Sequence, residues 1–290
     1  MKQNVSTVGI DLAKKLFHLV GTDTTGKIVW RKRLTRHALV PCMAQLPPVT
    51  IGMEACGGAH YWARQFQQHG HTVKLMAPQF VKPYVKSNKN DMRDAEAIAE
   101  AMTRPTMRFV PIKDVAQQDI QALHRVRERL IGARTALIND VHGLMLEYGI
   151  VLPTGVAKFR QAVVEKLEAE KDKLTALSQE LFWKLVQEFV ALEDQIAFYQ
   201  EKLETLATTH PESQRLMTIP GIGPITATAL VAAVGDVGVF KNGRQFAAWL
   251  GLVPKQHSTG GQSLLLGISK LSSSELNDIS SELFVVFRLW

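Results

Sequence analysis

The sequence has little cysteine and no long hydrophobic run, and each absence excludes a class of protein. Cys42 and Cys56 are the two cysteines of the 290 residues, too few for a disulfide framework or a cysteine-based zinc site. No apolar run reaches the ~18 residues that a membrane helix needs, and Met1 to Leu12 lack the apolar core of a signal peptide. We therefore expect a cytoplasmic protein with no membrane partner.

Acidic residues are in the minority. The chain has 34 Lys and Arg against 27 Asp and Glu, a formal net charge of +7, and a pI near 9.4. This excess fits a partner rich in phosphate, although a solvated basic surface is also compatible with so modest a charge. The length favours two domains over one.

Residues 1–112 mix the patterns of strands and helices. Apolar and polar residues alternate through VGIDLA, FHLVGTD and KIVWRKRL, with TTGK as a turn, which predicts three short strands joined by tight connections. A helix at 40–46, a strand at Thr50–Glu54, a helix at 60–69 and a strand at Thr72–Met76 are predicted next. This order indicates a mixed α/β sheet with helices.

The rest of the chain is predominantly helical in pattern. Two long amphipathic stretches, 113–147 and 158–207, are separated by breakers at 149–155 and predict a helical hairpin or coiled-coil arm. Residues 208–270 combine short helices with glycine-rich turns and predict a mainly α-helical C-terminal domain. Residues 271–290 form a separate tail.

Four acids lie where this order of elements would bring them together. Asp11 and Glu54 end two strands, whereas Asp91 and Asp94 cap and begin an alanine-rich helix. In an RNase H-like sheet the four would converge, and clustered carboxylates suit Mg²⁺. Two such ions, about 3.5 to 4 Å apart, can activate the attacking oxygen and stabilise the leaving one in phosphoryl transfer. Each acid alone has an ordinary structural explanation, but the four in this order favour a metal site.

A second candidate site lies in IPGIGPITA. Gly221 and Gly223 form a turn, and Pro224 occupies the first position of a new helix, so backbone N–H groups at the helix start would face a phosphate as in helix-hairpin-helix proteins. An ordinary tight turn between packed helices is the alternative.

Basic residues near both candidate sites are predicted to bind nucleic acid. For the arginines on the long helix, a solvated helix face is an equally good explanation. The candidates are Lys82, Lys86, Lys89 and Arg93 beside the acids, Arg125 and Arg129 on the long helix, and Lys241, Arg244 and Lys255 near the glycine turn.

Ser258 lies in the polar, glycine-flanked segment KQHSTGG, which predicts a loop. Its hydroxyl could reach a phosphate held by the glycine turn, although a serine in such a loop is usually only solvated. A nucleophilic serine needs an activating base or metal, and spacing alone identifies none.

Five motifs in order, GIDLAKK, GMEACGGAHYWAR, KNDMRDAEAIAEA, IPGIGPITA and WLGLVPKQHSTGG, resemble those of the DEDD insertion-sequence transposases related to the Piv DNA invertases. The resemblance runs from about residue 5 to residue 270. It implies a RuvC-like domain at 1–112, a coiled-coil arm at 113–207 and a C-terminal transposase domain at 208–270.

The resemblance also implies roles for residues and partners. Asp11, Glu54, Asp91 and Asp94 would be the DEDD acids that hold Mg²⁺, and Ser258 would attack the DNA phosphodiester to form a covalent intermediate. It implies double-stranded DNA at the element ends and target, a structured RNA encoded by the element, and dimers that pair into tetramers, with acids and serine from different subunits. The resemblance also implies that the protein is associated with the nucleoid.

The end of the chain departs from the resemblance. After GISK such transposases continue into a basic helical segment, whereas here LSSSELNDISSELFVVFRLW follows without a basic residue between Lys270 and Arg288. A truncated or frameshifted tail is expected at 271–290. Two other functions therefore stay open: a RuvC-like nuclease that uses water, and an inactive nucleic-acid-binding remnant.

Overall fold

The computed structural model describes residues 5–85, 90–235, 238, 240–250, 254–260 and 262–268. The chain divides into two compact units, residues 1–114 and 115–290. No helix in the described ranges is both long enough and apolar enough to cross a membrane.

The first unit is built on a mixed α/β sheet, as the sequence predicts, and it has six strands where the sequence predicts five. The strand order is β3-β2-β1-β4-β5-β6; β1 pairs antiparallel with β2 and parallel with β4, and β6 returns antiparallel to β5. The strands are β1 (Thr7–Asp11), β2 (Leu16–Thr22), β3 (Ile28–Thr35), β4 (Thr50–Glu54), β5 (Thr72–Met76) and β6 (Phe109–Val110).

Four helices accompany the sheet: α1 (Arg36–Ala44), α2 (Ala59–Gln68), the single turn α3 (Pro78–Val81) and α4 (Asp91–Ala101). The helix predicted at 40–46 begins four residues earlier, directly after β3. It contains Pro41 in its interior, where the proline ring removes one intrahelical hydrogen-bond donor.

One face of the sheet is covered by large side chains. Ile10 and Phe17 are fully buried there, together with Leu39 of α1 and with Trp62 and Phe66 of α2. The positions Ala59, Trp62, Ala63 and Phe66 repeat at helical spacing, so α2 presents one apolar stripe to the sheet.

The opposite face is covered by α4, and small residues dominate the contact. A Cβ atom on Gly9 would lie 2.6 Å from the backbone nitrogen of Ala99 and closer still to the carbonyl oxygen of Ala95. Only glycine therefore allows α4 to approach β1 this closely. The alanine-rich composition of the helix serves the same close contact, with Ala95 and Ala99 packed on Val20.

The start of α4 differs from the prediction in its cap. The expected aspartate cap is wrong, because Asn90 occupies the N-cap position and its side chain accepts a hydrogen bond from the Met92 backbone N–H at 3.0 Å. Asp91 and Asp94 lie in the first turn instead. Their carboxylates are thus not used to cap the helix.

The second unit begins with three helices, α5 (Val115–Leu146), α6 (Val156–Ala169) and α7 (Ala176–Thr209). The stretch predicted as one helix from 158 to 207 is two, because the chain turns through a short 3₁₀ segment at Lys171–Lys173 and Thr175 caps α7. The end of α5 packs with α6 and the start of α7, whereas Ile120 near the start of α5 packs with Leu203 near the end of α7. Helices α5 and α7 therefore run antiparallel, as a hairpin requires.

The chain continues through α8 (Pro211–Met217), α9 (Pro224–Val234) and α10 (Gly243–Trp249) to the hairpin of β7 (Pro254–Thr259) and β8 (Gln262–Ile268). The region is largely helical, as predicted, but the expected loop at Ser258 is a strand. The turn after Thr259 uses Gly260 with φ +57°, so the glycines that indicated a loop instead close a hairpin.

Candidate active site

Three of the four predicted acids converge at one end of the sheet. Asp11 ends β1, while Asp91 and Asp94 lie three residues apart in the first turn of α4, and one carboxylate oxygen from each lies within 4.8 Å of the others. Asp11 and Asp94 are half-buried, whereas Asp91 is exposed. Such a group of oxygen ligands is suited to a hard divalent cation.

Glu54 lies outside this group but near it. It ends β4, the parallel neighbour of β1, and Ile10 and Met53 are paired in register just before the two acids. Burial raises the pKa of the Cys56 thiol, and the carboxylates of Glu54 and Asp11 raise it further. Both acids therefore lie close to one thiol at this end of the sheet.

Two local features bring Asp91 and Asp94 to Asp11. The absence of a side chain at Gly9, two residues before Asp11 on the same strand face, lets α4 lie directly on β1. Asn90 then caps the helix, so the carboxylates of Asp91 and Asp94 are not needed as caps and can lie near Asp11. Negative charge in the first turn of a helix is also favoured by the helix dipole.

A row of polar side chains extends the site toward the edge of the sheet. His18 of β2 pairs directly with Asp11, and Arg33 of β3 pairs with His18, so the three side chains stand on the face that α4 covers. An open groove of about 450 Å³ is lined by His18, Arg33, Asn90, Asp91 and Met92.

Neither His18 nor Arg33 was identified from the sequence as part of the site. The signal was available, because the tight β1–β2 connection determines which residue of β2 stands opposite Asp11. Arg31, two residues before Arg33, is neutralised by Glu96 of α4 at 2.7 Å. Arg33 is exposed.

The donor set fits Mg²⁺. Magnesium takes oxygen ligands at about 2.0 to 2.1 Å and keeps several waters, so two or three carboxylates suffice. The Asp91 side chain is 60% exposed, so it is free to change its rotamer when a cation binds. In this arrangement Asp11, Asp91 and Asp94 would be ligands, and Glu54 would join through rotation or a bridging water.

The predicted nucleic-acid-binding residues are divided among surfaces of both units. In the first unit Lys82 and Arg93 are exposed, and Lys86 and Lys89 lie outside the described residues. In the second, Arg125, Arg129, Lys241 and Arg244 are exposed, and the side chain of Lys255 lies outside the described part. Two further arginines of α5 are engaged within the helices, since Arg127 donates to Gln200 and Arg134 to Glu193.

The glycine turn between α8 and α9 has the predicted local geometry. Gly221 has φ +89°, a left-handed conformation that favours glycine, and Gly223 is the N-cap of α9 with Pro224 at its first position. Helix α9 is held to α5 by a buried contact: His124 Nε2 lies 3.0 Å from Thr228 Oγ1, which donates to the Pro224 carbonyl. The turn is thus attached to a fixed helix.

Ser258 lies near the end of β7, paired with Ser263 of β8, and is exposed. His257 and Thr259 beside it are exposed as well. Ser258 and the acids belong to different units, so the roles of the five predicted catalytic residues remain predictions.

Comparison with known proteins covers both units. A family model described as transposase matches residues 8–150, and a model described as transposase of the IS116/IS110/IS902 family matches residues 213–282. The first contains Asp11, Glu54, Asp91 and Asp94, and the second contains the glycine turn and Ser258.

Individual relatives agree with the two models. The chain is 48% identical to a probable family 20 transposase of Pseudomonas aeruginosa, over 95% of this chain and 82% of that protein. It is 44% identical to the transposase for insertion sequence element IS1111A of Coxiella burnetii, over 92% of this chain and 74% of the relative. The pilin gene-inverting protein of Moraxella bovis is more distant, at 24% identity over 78% of this chain and 62% of that protein.

Proposed function

The chain belongs to the IS116/IS110/IS902 family of transposases, and from that premise we propose that it cuts and rejoins DNA strands of its insertion sequence with Mg²⁺ held by acids and with Ser258 as nucleophile. The observation that carries the proposal is the convergence of Asp11, Asp91 and Asp94 within 4.8 Å at one end of the sheet. The family assignment supports DNA at the element ends as substrate.

The acids and the serine have different tasks in this mechanism. Asp11, Asp91 and Asp94, with Glu54 at the neighbouring strand end, would hold Mg²⁺, which when bound polarises the phosphodiester and neutralises developing charge. The half-buried positions of Asp11 and Asp94 fix two ligands before DNA arrives, and such preorganisation is what lowers the barrier to phosphoryl transfer.

Ser258 supplies the covalent step. Its Oγ forms a bond to the phosphorus while one P–O bond to a deoxyribose breaks; the serine proton passes to water, and the leaving oxygen takes a proton to become a hydroxyl. Attack on the phosphoserine by a hydroxyl of another strand reverses these changes and joins the DNA. The phosphodiester energy is conserved, so no nucleotide cofactor is needed.

The proposal includes partners. The exposed basic residues Lys82, Arg93, Arg125, Arg129, Lys241 and Arg244, with Lys86, Lys89 and Lys255, would neutralise nucleic-acid phosphates. Gly221 and Gly223 would bring a phosphate to the N-terminus of α9. A structured RNA encoded by the element remains part of the proposal.

A homo-oligomer, a dimer pairing into a tetramer, completes the site by supplying acids and serine from different subunits. Exposed apolar side chains at the α6 end of the helices support self-association, because such a group favours a protein interface. They are Leu146, Val151, Leu177 and Leu181, which are 60%, 69%, 76% and 45% exposed.

The test is a protein–DNA adduct. The full chain is incubated with element-end DNA, RNA transcribed from the flank and Mg²⁺, and the products are separated under denaturing conditions. The wild type is expected to give an adduct that Ser258→Ala and Asp11→Asn lose. Ser263→Ala is the matched control, because it makes the same change on the paired strand and should retain the adduct.

The other outcomes identify the alternatives. Cleavage without an adduct that persists in Ser258→Ala would replace the serine mechanism with hydrolysis by the acids alone. Salt-sensitive binding without cleavage by any variant would indicate a nucleic-acid-binding protein that lacks recombinase activity.

A further inference from the structure

His18 is a buried histidine with an unusual environment. The residue is only 7% exposed, and its Nδ1 atom is buried without a hydrogen-bond partner in the described part of the chain. A buried polar nitrogen left in this state destabilises a fold, because no hydrogen bond offsets its removal from water. Folding therefore gives no reason for a histidine here, where the neighbouring Val20 on the same strand face packs on α4 with an apolar side chain.

The nitrogen faces the carboxylates. His18 Nδ1 lies 3.7 Å from Asp91 Oδ2, and His18 is the direct cross-strand neighbour of Asp11. The Asp91 side chain is 60% exposed, whereas that of His18 is 9% exposed, so the aspartate moves and the histidine stays. A side-chain rotation that moves Asp91 Oδ2 by less than 1 Å would bring it to the ~2.9 Å from His18 Nδ1 that is typical of a hydrogen bond.

We propose that His18 is a positioning residue for the metal site, with its Nδ1–H donating a hydrogen bond to Asp91 when that carboxylate binds Mg²⁺. The inference rests on the proposed function, because it assigns Asp91 as a metal ligand. A ligating carboxylate held by a second hydrogen bond has one orientation, and loss of such a partner typically lowers metal affinity 10- to 100-fold. Since His18 is buried and lies on β2, which pairs with β1 on one side and β3 on the other, its imidazole can impose that orientation on the more exposed aspartate.

Two substitutions separate positioning from simple packing. His18→Leu fills the space without a donor, whereas His18→Asn places an amide N–H near the position of Nδ1. Each full-length variant is titrated with MgCl₂ by isothermal calorimetry, and its unfolding temperature is measured with and without Mg²⁺. Neither measurement depends on DNA cleavage.

We expect His18→Leu to lose at least tenfold in Mg²⁺ affinity and to lose the rise in unfolding temperature that Mg²⁺ gives the wild type. Without metal it should be as stable as the wild type or more stable, because the unpartnered nitrogen is removed. His18→Asn retains a donor and should remain within about threefold of wild-type affinity, short of the 10- to 100-fold loss typical of a removed partner.

Three results would overturn the inference. In the first, His18→Leu binds Mg²⁺ as well as the wild type does; in the second, His18→Asn fails to the same degree as His18→Leu. A metal-free His18→Leu protein less stable than the wild type would assign the histidine to the fold instead. If the wild type itself binds no Mg²⁺, the metal site of the proposed function fails and this inference fails with it, an outcome distinct from the other three.

Discussion

The two units differ in how they present their candidate catalytic groups. In the first, Asp11 and Asp94 are half-buried and are placed by direct contact between β1 and α4. In the second, Ser258 is exposed on a two-stranded hairpin, and Gly221 lies in an exposed turn. The acids are arranged by the fold, whereas the serine and the glycine turn stand on the surface where a DNA strand would meet them.

This difference means that the acids and Ser258 are positioned by different causes. Carboxylates of like charge come within 4.8 Å only because packing holds them there, since their mutual repulsion opposes it. An exposed hydroxyl carries no such cost, and in the proposed mechanism it would acquire its orientation when substrate binds. Substitutions should therefore affect the acids through packing and Ser258 through binding.

The largest expected effect is that of Gly9→Ala. The added Cβ would lie 2.6 Å from the Ala99 backbone nitrogen, so α4 must move away from β1 and carry Asp91 and Asp94 from Asp11. We expect a loss of about 3 kcal/mol in the free energy of unfolding, as for overpacking against a rigid neighbour. Calorimetric Mg²⁺ binding should become undetectable in the protein that remains folded.

Gly132→Ala is the matched control in the second unit. A Cβ at Gly132, inside α5, would meet no atom within 4 Å, and alanine is favoured over glycine in a helix by up to about 1 kcal/mol. The control should be as stable as the wild type or more stable, with unchanged Mg²⁺ affinity. Normal Mg²⁺ binding by Gly9→Ala would show that the close β1–α4 contact is not what assembles the acids.

Much of this first unit could be predicted from the sequence. Strict alternation and short connections identified Thr50–Glu54 and Thr72–Met76 with the bounds that the structure has, and the acids at strand ends then indicated their meeting point. One local detail differs. The cap was assigned to aspartate although Asn90 takes it, because both residue types accept the same hydrogen bond.

The second unit was harder to predict for a physical reason. Some of its helices end at glycine or proline, but the turn at Lys171–Lys173 contains neither residue. The sequence pattern therefore does not indicate that a helix ends there. Ser258 was placed in a loop because polar residues and glycines surround it, yet the same residues form a hairpin once β8 pairs with β7. A glycine-containing turn is compatible with both a loop and a tight hairpin, so this motif alone does not distinguish the two.

A smaller effect concerns acid pH and tests how firmly the glycine turn is held. Burial beside α9, with Arg127 nearby, lowers the pKa of His124 from 6.5 to about 4. The unfolded chain then takes up this proton below pH 6.5 and the folded chain only below about 4, so stability is lost as the pH falls through that window. Between pH 7 and pH 5 the loss is about 2 kcal/mol.

His124→Gln provides the measurement. Glutamine can donate to Thr228 but does not titrate, so urea unfolding at pH 7 and pH 5 should show a loss smaller by about 2 kcal/mol than in the wild type. His71, whose pKa burial also lowers, is unchanged in both proteins and cancels from the comparison. An equal pH dependence in the two proteins would mean that burial does not lower the pKa of His124.

The smallest expected effect is a change in the alkylation rate of the Cys56 thiol when a cation binds the neighbouring acids. Cys56 is exposed to reagents, but burial and the carboxylates of Glu54 and Asp11 raise its pKa. A divalent cation on the carboxylates would cancel the latter two contributions and lower the pKa, so more of the reactive thiolate would exist at a fixed pH. In Cys42→Ser, where Cys56 is the remaining cysteine, Mg²⁺ should accelerate alkylation by iodoacetamide at pH 8 by several-fold.

The comparison between the two cysteines makes this a test of the site instead of a general salt effect. In Cys56→Ser the remaining thiol, Cys42, lies near Lys32 and should react at a rate that Mg²⁺ leaves unchanged when ionic strength is held constant. Adding Asp11→Asn to Cys42→Ser should remove the acceleration, because one of the two carboxylates that act on Cys56 is then neutral and the cation loses a ligand. If Mg²⁺ accelerated alkylation equally with and without Asp11, the cation would be binding elsewhere, and the packed acids of the first unit would have no metal to hold.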